Sequence, residues 1–88
     1  MILIVCRIII YIDFPLTVMD VLKKFGMRIR QLRLEKELSQ EKLAELTTFH
    51  RTYIGMIERG ERNPSLKNIE VFAKAFDLEL NQLFKWYS

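Results

Sequence analysis

Apolar positions recur three and four residues apart over most of the chain, and the recurrence breaks into five stretches. Leu22, Phe25, Ile29 and Leu32 share one face of a helix predicted from about Val18 to Glu37. Ser39 is a preferred N-cap, and Leu43, Ala44 and Leu46 behind it form the apolar stripe of a second helix. Thr47, Thr48, Phe49 and His50 interrupt the period. Tyr53, Ile54 and Ile57 then resume it, and Gly60 supplies a stop, so a third helix of ten residues is expected from His50 to Arg59. Ser65 caps a fourth helix carrying Leu66, Ile69, Phe72, Ala73 and Phe76. After Asp77 a last helix of about ten residues holds Leu80, Leu83 and Phe84 and ends in Trp86-Tyr87. The expected class is all-α with five helices.

Residues 1–14, MILIVCRIIIYIDF, follow a different pattern. They are mostly β-branched or aromatic, with Arg7 and Asp13 as the only charges, and predict a short N-terminal strand. The chain therefore divides into an apolar extension, 1–17, and a helical domain, 18–88. The apolar run is shorter than the roughly 20 residues a bilayer requires and carries Arg7 in its middle, which argues against a membrane span. It also lacks the basic start and small-residue cleavage site of a signal peptide. Two readings stand. In one, the strand is real and pairs with a symmetry mate or packs on the helices. In the other, translation begins at Met19; removing residues 1–18 takes away one Arg and one Asp and leaves the net charge at +3. Thr17-Val18-Met19-Asp20, with Leu16 and Val21 as a hydrophobic staple, forms a capping pattern that favours the first.

The third helix has an unusual outward face. At 100° per residue Ile54 and Ile57 lie on one side, with Thr52, Gly55, Met56 and Arg59 opposite and Arg51 beside them. An exposed mid-helix Gly costs about 1 kcal/mol against Ala, and close approach of the backbone to another surface would account for it. Arg51 offers a planar fork for the two major-groove acceptors of guanine. Thr52 can hydrogen-bond a base or meet a thymine methyl. Together they read as a head for base recognition. Gly26 in the first helix invites a similar close approach. Lys23, Lys24, Arg28 and Arg30 read as a solvated face from which Arg28 or Arg30 can reach a phosphate.

Arg51-Thr52-Tyr53-Ile54, followed by Glu58-Arg59-Gly60-Glu61-Arg62-Asn63-Pro64-Ser65-Leu66, resembles the helix-turn-helix of the Cro/CI-type (XRE) repressors, over about Phe25 to Phe84. Within that family the stretch is most similar to the controller proteins of restriction-modification systems. The resemblance implies a five-helix lambda-repressor-like domain with Arg51 and Thr52 reading bases. It places Gln40, His50, Tyr53, Arg59, Arg62, Asn63 and Ser65 at phosphates, with half-buried core as the competing role for Tyr53. It pairs Arg33 with Glu58 in a structural ion pair, and puts Leu80, Leu83, Phe84, Trp86 and Tyr87 in a dimer interface. Thr48 departs from the family, which often has Gly in this turn because a positive φ is needed there. The implied partners are a palindromic double-stranded operator, a second copy of the chain and RNA polymerase, which bound protein blocks or recruits. A rival reading is an antitoxin-type interaction module that holds a toxin and binds DNA as feedback; it would need the N-terminal 18 residues as its wrapping segment.

Charge and chemistry narrow the picture further. Lys and Arg exceed Asp and Glu by 14 to 11, giving a net charge of +3 and a pI near 9.2, which suits a nucleic-acid partner only if the cations cluster. The single cysteine, Cys6, excludes an internal disulfide and fits a reducing cytoplasm. One histidine, no carboxylate pair in register and no nucleophile beside a base imply no enzyme, no metal site, no cofactor and no small-molecule substrate.

Overall fold

A computed structural model describes residues 20–85. It contains α1 (Val21–Glu35), α2 (Gln40–Thr47), α3 (Arg51–Glu58), α4 (Leu66–Ala75) and α5 (Leu80–Leu83), with no strand among the described residues. The predicted strand, the Thr17 capping pattern, Trp86 and Tyr87 lie outside that range.

Each helix boundary has a local cause. Asp20 accepts the Leu22 N–H at 2.9 Å and opens α1, so the helix starts three residues later than the Val18 expected from periodicity. Its end is also earlier than predicted. Glu37 takes a left-handed φ of 57°, and the Glu37 and Leu38 N–H groups fold back to Leu34 O and Arg33 O at 3.0 Å each, a Schellman closure. The same closure ends α3, where Gly60 has φ 75° and Glu61 N–H reaches Met56 O at 2.9 Å. It recurs after α4 at Asp77, φ 60°. Ser39 and Ser65 cap α2 and α4 through Lys42 N–H at 2.9 Å and Asn68 N–H at 3.1 Å. The last helix is only four residues long rather than about ten, opened by a capping box between Glu79 and Gln82.

The core gathers Phe25, Ile29 and Leu32 of α1, Leu43 and Ala44 of α2, Ile54 and Ile57 of α3, Phe72, Ala73 and Phe76 around α4, and Leu83 of α5. Phe72 sits at its centre, edge-on to Phe25 with ring centroids 6.0 Å apart and 5.3 Å from Phe49. Leu46 and Leu66 satisfy the helical period yet stay exposed, at 50% and 71%. In α2 the inward position falls to Thr47, whose hydroxyl bonds back to Leu43 O at 2.9 Å and is buried. Leu66, the first residue of α4, precedes the turn that packs.

Two cations assigned to a solvated face are not on one. Lys24 is buried. Arg28 is half-buried and donates from Nε to Leu83 O at 3.0 Å and from Nη2 to Gln82 O at 2.8 Å. Its positive charge thus sits against the carbonyls at the C-terminal end of α5, the favourable end for a cation.

Gly26 meets its expectation of close approach. A Cβ there would fall inside the carbonyl of Ile57 and 2.6 Å from that of Glu58, so α1 and the end of α3 touch backbone to backbone. Thr48 adopts φ 62° although it is β-branched, supplying the left-handed turn that Gly supplies elsewhere. That conformation costs a non-Gly residue roughly 1–2 kcal/mol. Thr48→Gly should therefore stabilise the domain by about 1 kcal/mol, raising the melting midpoint by roughly 4–8 °C for a chain of this size. A calorimetric midpoint at or below that of the native protein would contradict this reading of the turn.

Candidate nucleic-acid interface

The position of α3 is set by what it buries. Arg33 of α1 grips Glu58 with two hydrogen bonds, Nε to Oε2 at 2.6 Å and Nη2 to Oε1 at 3.1 Å. The two side chains are only 10% and 4% exposed. Each member of the pair also has a further hydrogen-bond partner. Arg33 Nη1 donates to Leu38 O at 2.9 Å, and Gln40 Nε2 donates to Glu58 Oε1 at 3.1 Å. A buried ion pair survives only when its remaining donors and acceptors find partners in this way. One interaction thus ties the end of α3 to α1, to the α1–α2 turn and to the start of α2.

With Ile54 and Ile57 in the core, the N-terminal end of α3 points outward. His50, Arg51 and Thr52 are exposed. His50 is the N-cap by backbone conformation, φ −72° and ψ 146°, but its side chain makes no capping bond. The Arg51 guanidinium has no partner among the described residues.

Two clusters flank this exposed end. On one side Arg59 lies back over Gly55, and a Cβ on Gly55 would stand 3.2 Å from Arg59 Nη1 and 3.9 Å from the Gln40 amide. Gly55 is therefore buried rather than open, because Arg59 and Gln40 cover it; the room it leaves is taken up by its own protein's side chains. Gln40, expected at a phosphate, spends one amide hydrogen on Glu58. Arg59 is held by Glu61, Nε to Oε2 at 2.9 Å and Nη2 to Oε1 at 3.1 Å. That hydrogen bond is the main reason the Glu61 carboxyl lies below its usual range and Arg59 above its own.

On the other side Tyr53 is half-buried, its ring 5.0 Å from Phe49. Its hydroxyl accepts from Asn68 Nδ2 at 3.0 Å, which leaves its own hydrogen to donate. The Arg62 guanidinium stands 5.5 Å over the Tyr53 ring. Ser65 Oγ accepts the Asn68 N–H as the cap of α4, and Asn63 is exposed in the loop between. Tyr53 thus joins the loop residues to α3. Sequence reasoning missed three contributors: Glu61, whose placement two residues after Arg59 across a turn was the available signal; Asn68, which holds Tyr53; and Lys23, whose ammonium bonds the Arg59 carbonyl at 3.1 Å.

Of the residues assigned to a subunit interface, Leu80 and Phe84 are each 37% exposed, whereas Leu83 is fully buried in its own core and so is unavailable to a partner. The i, i+3 spacing that groups Leu80 with Leu83 cannot tell which of the two turns inward. Among the described residues no helix is long and apolar enough to cross a membrane, and no group of three or more His, Cys, Asp and Glu could hold a metal ion.

The helix-turn-helix family model matches residues 29–83. The chain belongs to that family, within the restriction-modification control proteins. It is 53% identical over 60 residues to control protein C.BamHI of Bacillus amyloliquefaciens, covering 67% of this chain and 74% of that one. The crystal structure of the controller protein C.AhdI from Aeromonas hydrophila superposes with a TM-score of 0.70 at 53% identity, covering 73% of this chain and 97% of that one. The C.Esp1396I tetramer, solved in complex with its natural 35-base-pair operator, matches with a TM-score of 0.71 at 36% identity over 76% of this chain and 88% of that one.

Removing Glu58 would leave Arg33 buried with only the Leu38 carbonyl. Glu58→Ala should cost about 3–5 kcal/mol, the penalty of an uncompensated buried charge. A thermal melt matching the native protein within error would show that the pair is not what fixes α3.

Proposed function

We propose that this protein is a sequence-specific transcriptional regulator that binds a palindromic operator as a dimer and controls the expression of restriction-modification genes. The observation that carries the reading is the exposed Arg51, without a partner among the described residues, beside exposed Thr52 at the start of a helix whose far end is locked by Arg33 and Glu58. A recognition helix needs this combination: free hydrogen-bonding groups at the groove end and a fixed pose behind them.

The flanking groups divide by role. Arg51 and Thr52 read base edges. His50, the free hydrogens of Gln40 and Tyr53, and Arg59, Arg62, Asn63 and Ser65 sit where the backbone passes and set register without reading sequence. Ser65 does so with its hydroxyl hydrogen, since its oxygen is already the cap of α4. Exposed Leu80 and Phe84 mark the face toward a second subunit, with Trp86 and Tyr87 as candidates beyond the described residues. A twofold dimer sets two recognition helices roughly 34 Å apart, one turn of DNA. The protein acts by occupancy, blocking or recruiting RNA polymerase. The related operator complex of C.Esp1396I supports DNA as the ligand and an oligomer as the binding form.

Two substitutions separate the roles. Arg51→Ala should lose about 1–3 kcal/mol on the site that the native protein selects and almost nothing on random duplex. Arg62→Ala should weaken both and lower the salt slope by about one unit. Binding isotherms in which Arg51→Ala loses equally on the two duplexes would remove Arg51 from base readout.

A further inference from the structure

We propose that Glu61 is a specificity-determining residue: by holding Arg59 at the edge of α3, it lowers affinity for the backbone of arbitrary DNA while fixing Arg59 for the operator. The inference rests on the regulator reading above and adds to it a carboxylate that opposes the charge of its own interface.

The geometry is a two-point contact between exposed side chains, Arg59 Nε to Glu61 Oε2 at 2.9 Å and Nη2 to Oε1 at 3.1 Å. An exposed pair of this kind adds little to stability, so its worth to the protein lies elsewhere. The guanidinium nitrogen that Glu61 leaves unbonded, Nη1, lies over Gly55 beside Gln40, where the start of α2 and the middle of α3 meet. A methyl at Gly55 would stand 3.2 Å from Nη1, so the guanidinium would have to shift by a few tenths of an ångström to keep this place. Lys23, bonded to the Arg59 carbonyl at 3.1 Å, is the other cation acting on Glu61.

Two consequences follow, and they differ between random DNA and the operator. Binding to random DNA counts neutralised phosphates, each adding about 0.9 to the salt slope. With its charge compensated and its Nε–Nη2 edge occupied, Arg59 contributes little to that count, because a phosphate must compete with an acceptor already in place. On the operator, base contacts by α3 fix the register, so a phosphate can meet the open edge of Arg59 at Nη1. There the carboxylate holds the guanidinium plane in advance, which reduces the ordering cost of a long side chain on binding. Glu61 therefore weakens the charge contribution on all DNA and returns an orientation benefit only on the operator.

The test uses the full chain, with Glu61→Gln, Arg59→Ala and the double variant, on the duplex that the native protein selects and on a random duplex of equal length, across 0.05–0.2 M salt. Because Glu61 is exposed, Glu61→Gln should melt with the native protein. Its binding to random DNA should tighten about threefold to tenfold with a slope steeper by about one, as expected for one added phosphate contact. Operator affinity should move less than about twofold, so the ratio of the two falls, and in the Arg59→Ala background the Glu61 substitution should change neither. Equal tightening on both duplexes, no change on either, or the same shift without Arg59 would overturn the proposal. A native protein that does not distinguish the two duplexes would overturn the regulator reading and this inference with it.

Discussion

The buried Arg33–Glu58 pair is the interaction on which the rest of the structure depends. Helix α3 has eight residues and a length of about 12 Å, far below what holds an isolated helix together in water. Its fold and its aim come from its surroundings. Ile54 and Ile57 sink one face into the core, Gly26 lets the carbonyls at its end settle on α1, and Glu58 closes the contact through Arg33. Because Gln40 joins the same carboxylate, the start of α2 is keyed to the end of α3. The arrangement leaves the start of α3, with Arg51 and Thr52, as the part that faces away.

Much of the charge is committed inside the molecule, which explains how a modest +3 serves a DNA-binding role. Arg33 is spent on Glu58, Arg28 on the carbonyls of α5, Arg59 on Glu61 and Lys23 on the end of α3. Arg62 is stacked loosely over Tyr53. Of Arg51, Arg59 and Arg62 around α3, Arg51 is the one whose guanidinium has no partner among the described residues, which is why the proposed base readout is assigned to it. An interface with few uncommitted cations binds arbitrary DNA weakly, and sequence preference then rests on the few groups that are free.

The class of fold, the order of the five helices and most of the core were legible in the sequence because they rest on periodicity, which Phe25, Ile29, Leu43, Ile54, Ile57 and Phe72 obey. The Arg33–Glu58 contact was legible only through the likeness of its motif to a family, since residues 25 positions apart share no local signal. Boundaries were harder. Glu37 and Asp77 end helices in left-handed conformations without being Gly, and the energy for that comes from the hydrogen bonds and packing that follow them. Gly55 read as an open face because a helical wheel has no knowledge of Arg59 curling back from the next turn. Leu83 read as interface and Lys24 as solvated for the same reason: spacing along one helix cannot say where a neighbouring helix lies.

Selection of bound duplexes from a random pool by the full chain, at about 0.15 M salt where backbone attraction alone is weak, tests the central claim most directly. Two rigidly presented recognition helices on a twofold dimer predict an enriched motif with inverted half-sites whose centres are roughly 10 base pairs, or a multiple of that, apart. Recovery of no motif, or of a single unpaired half-site from protein shown to be dimeric, would contradict the account.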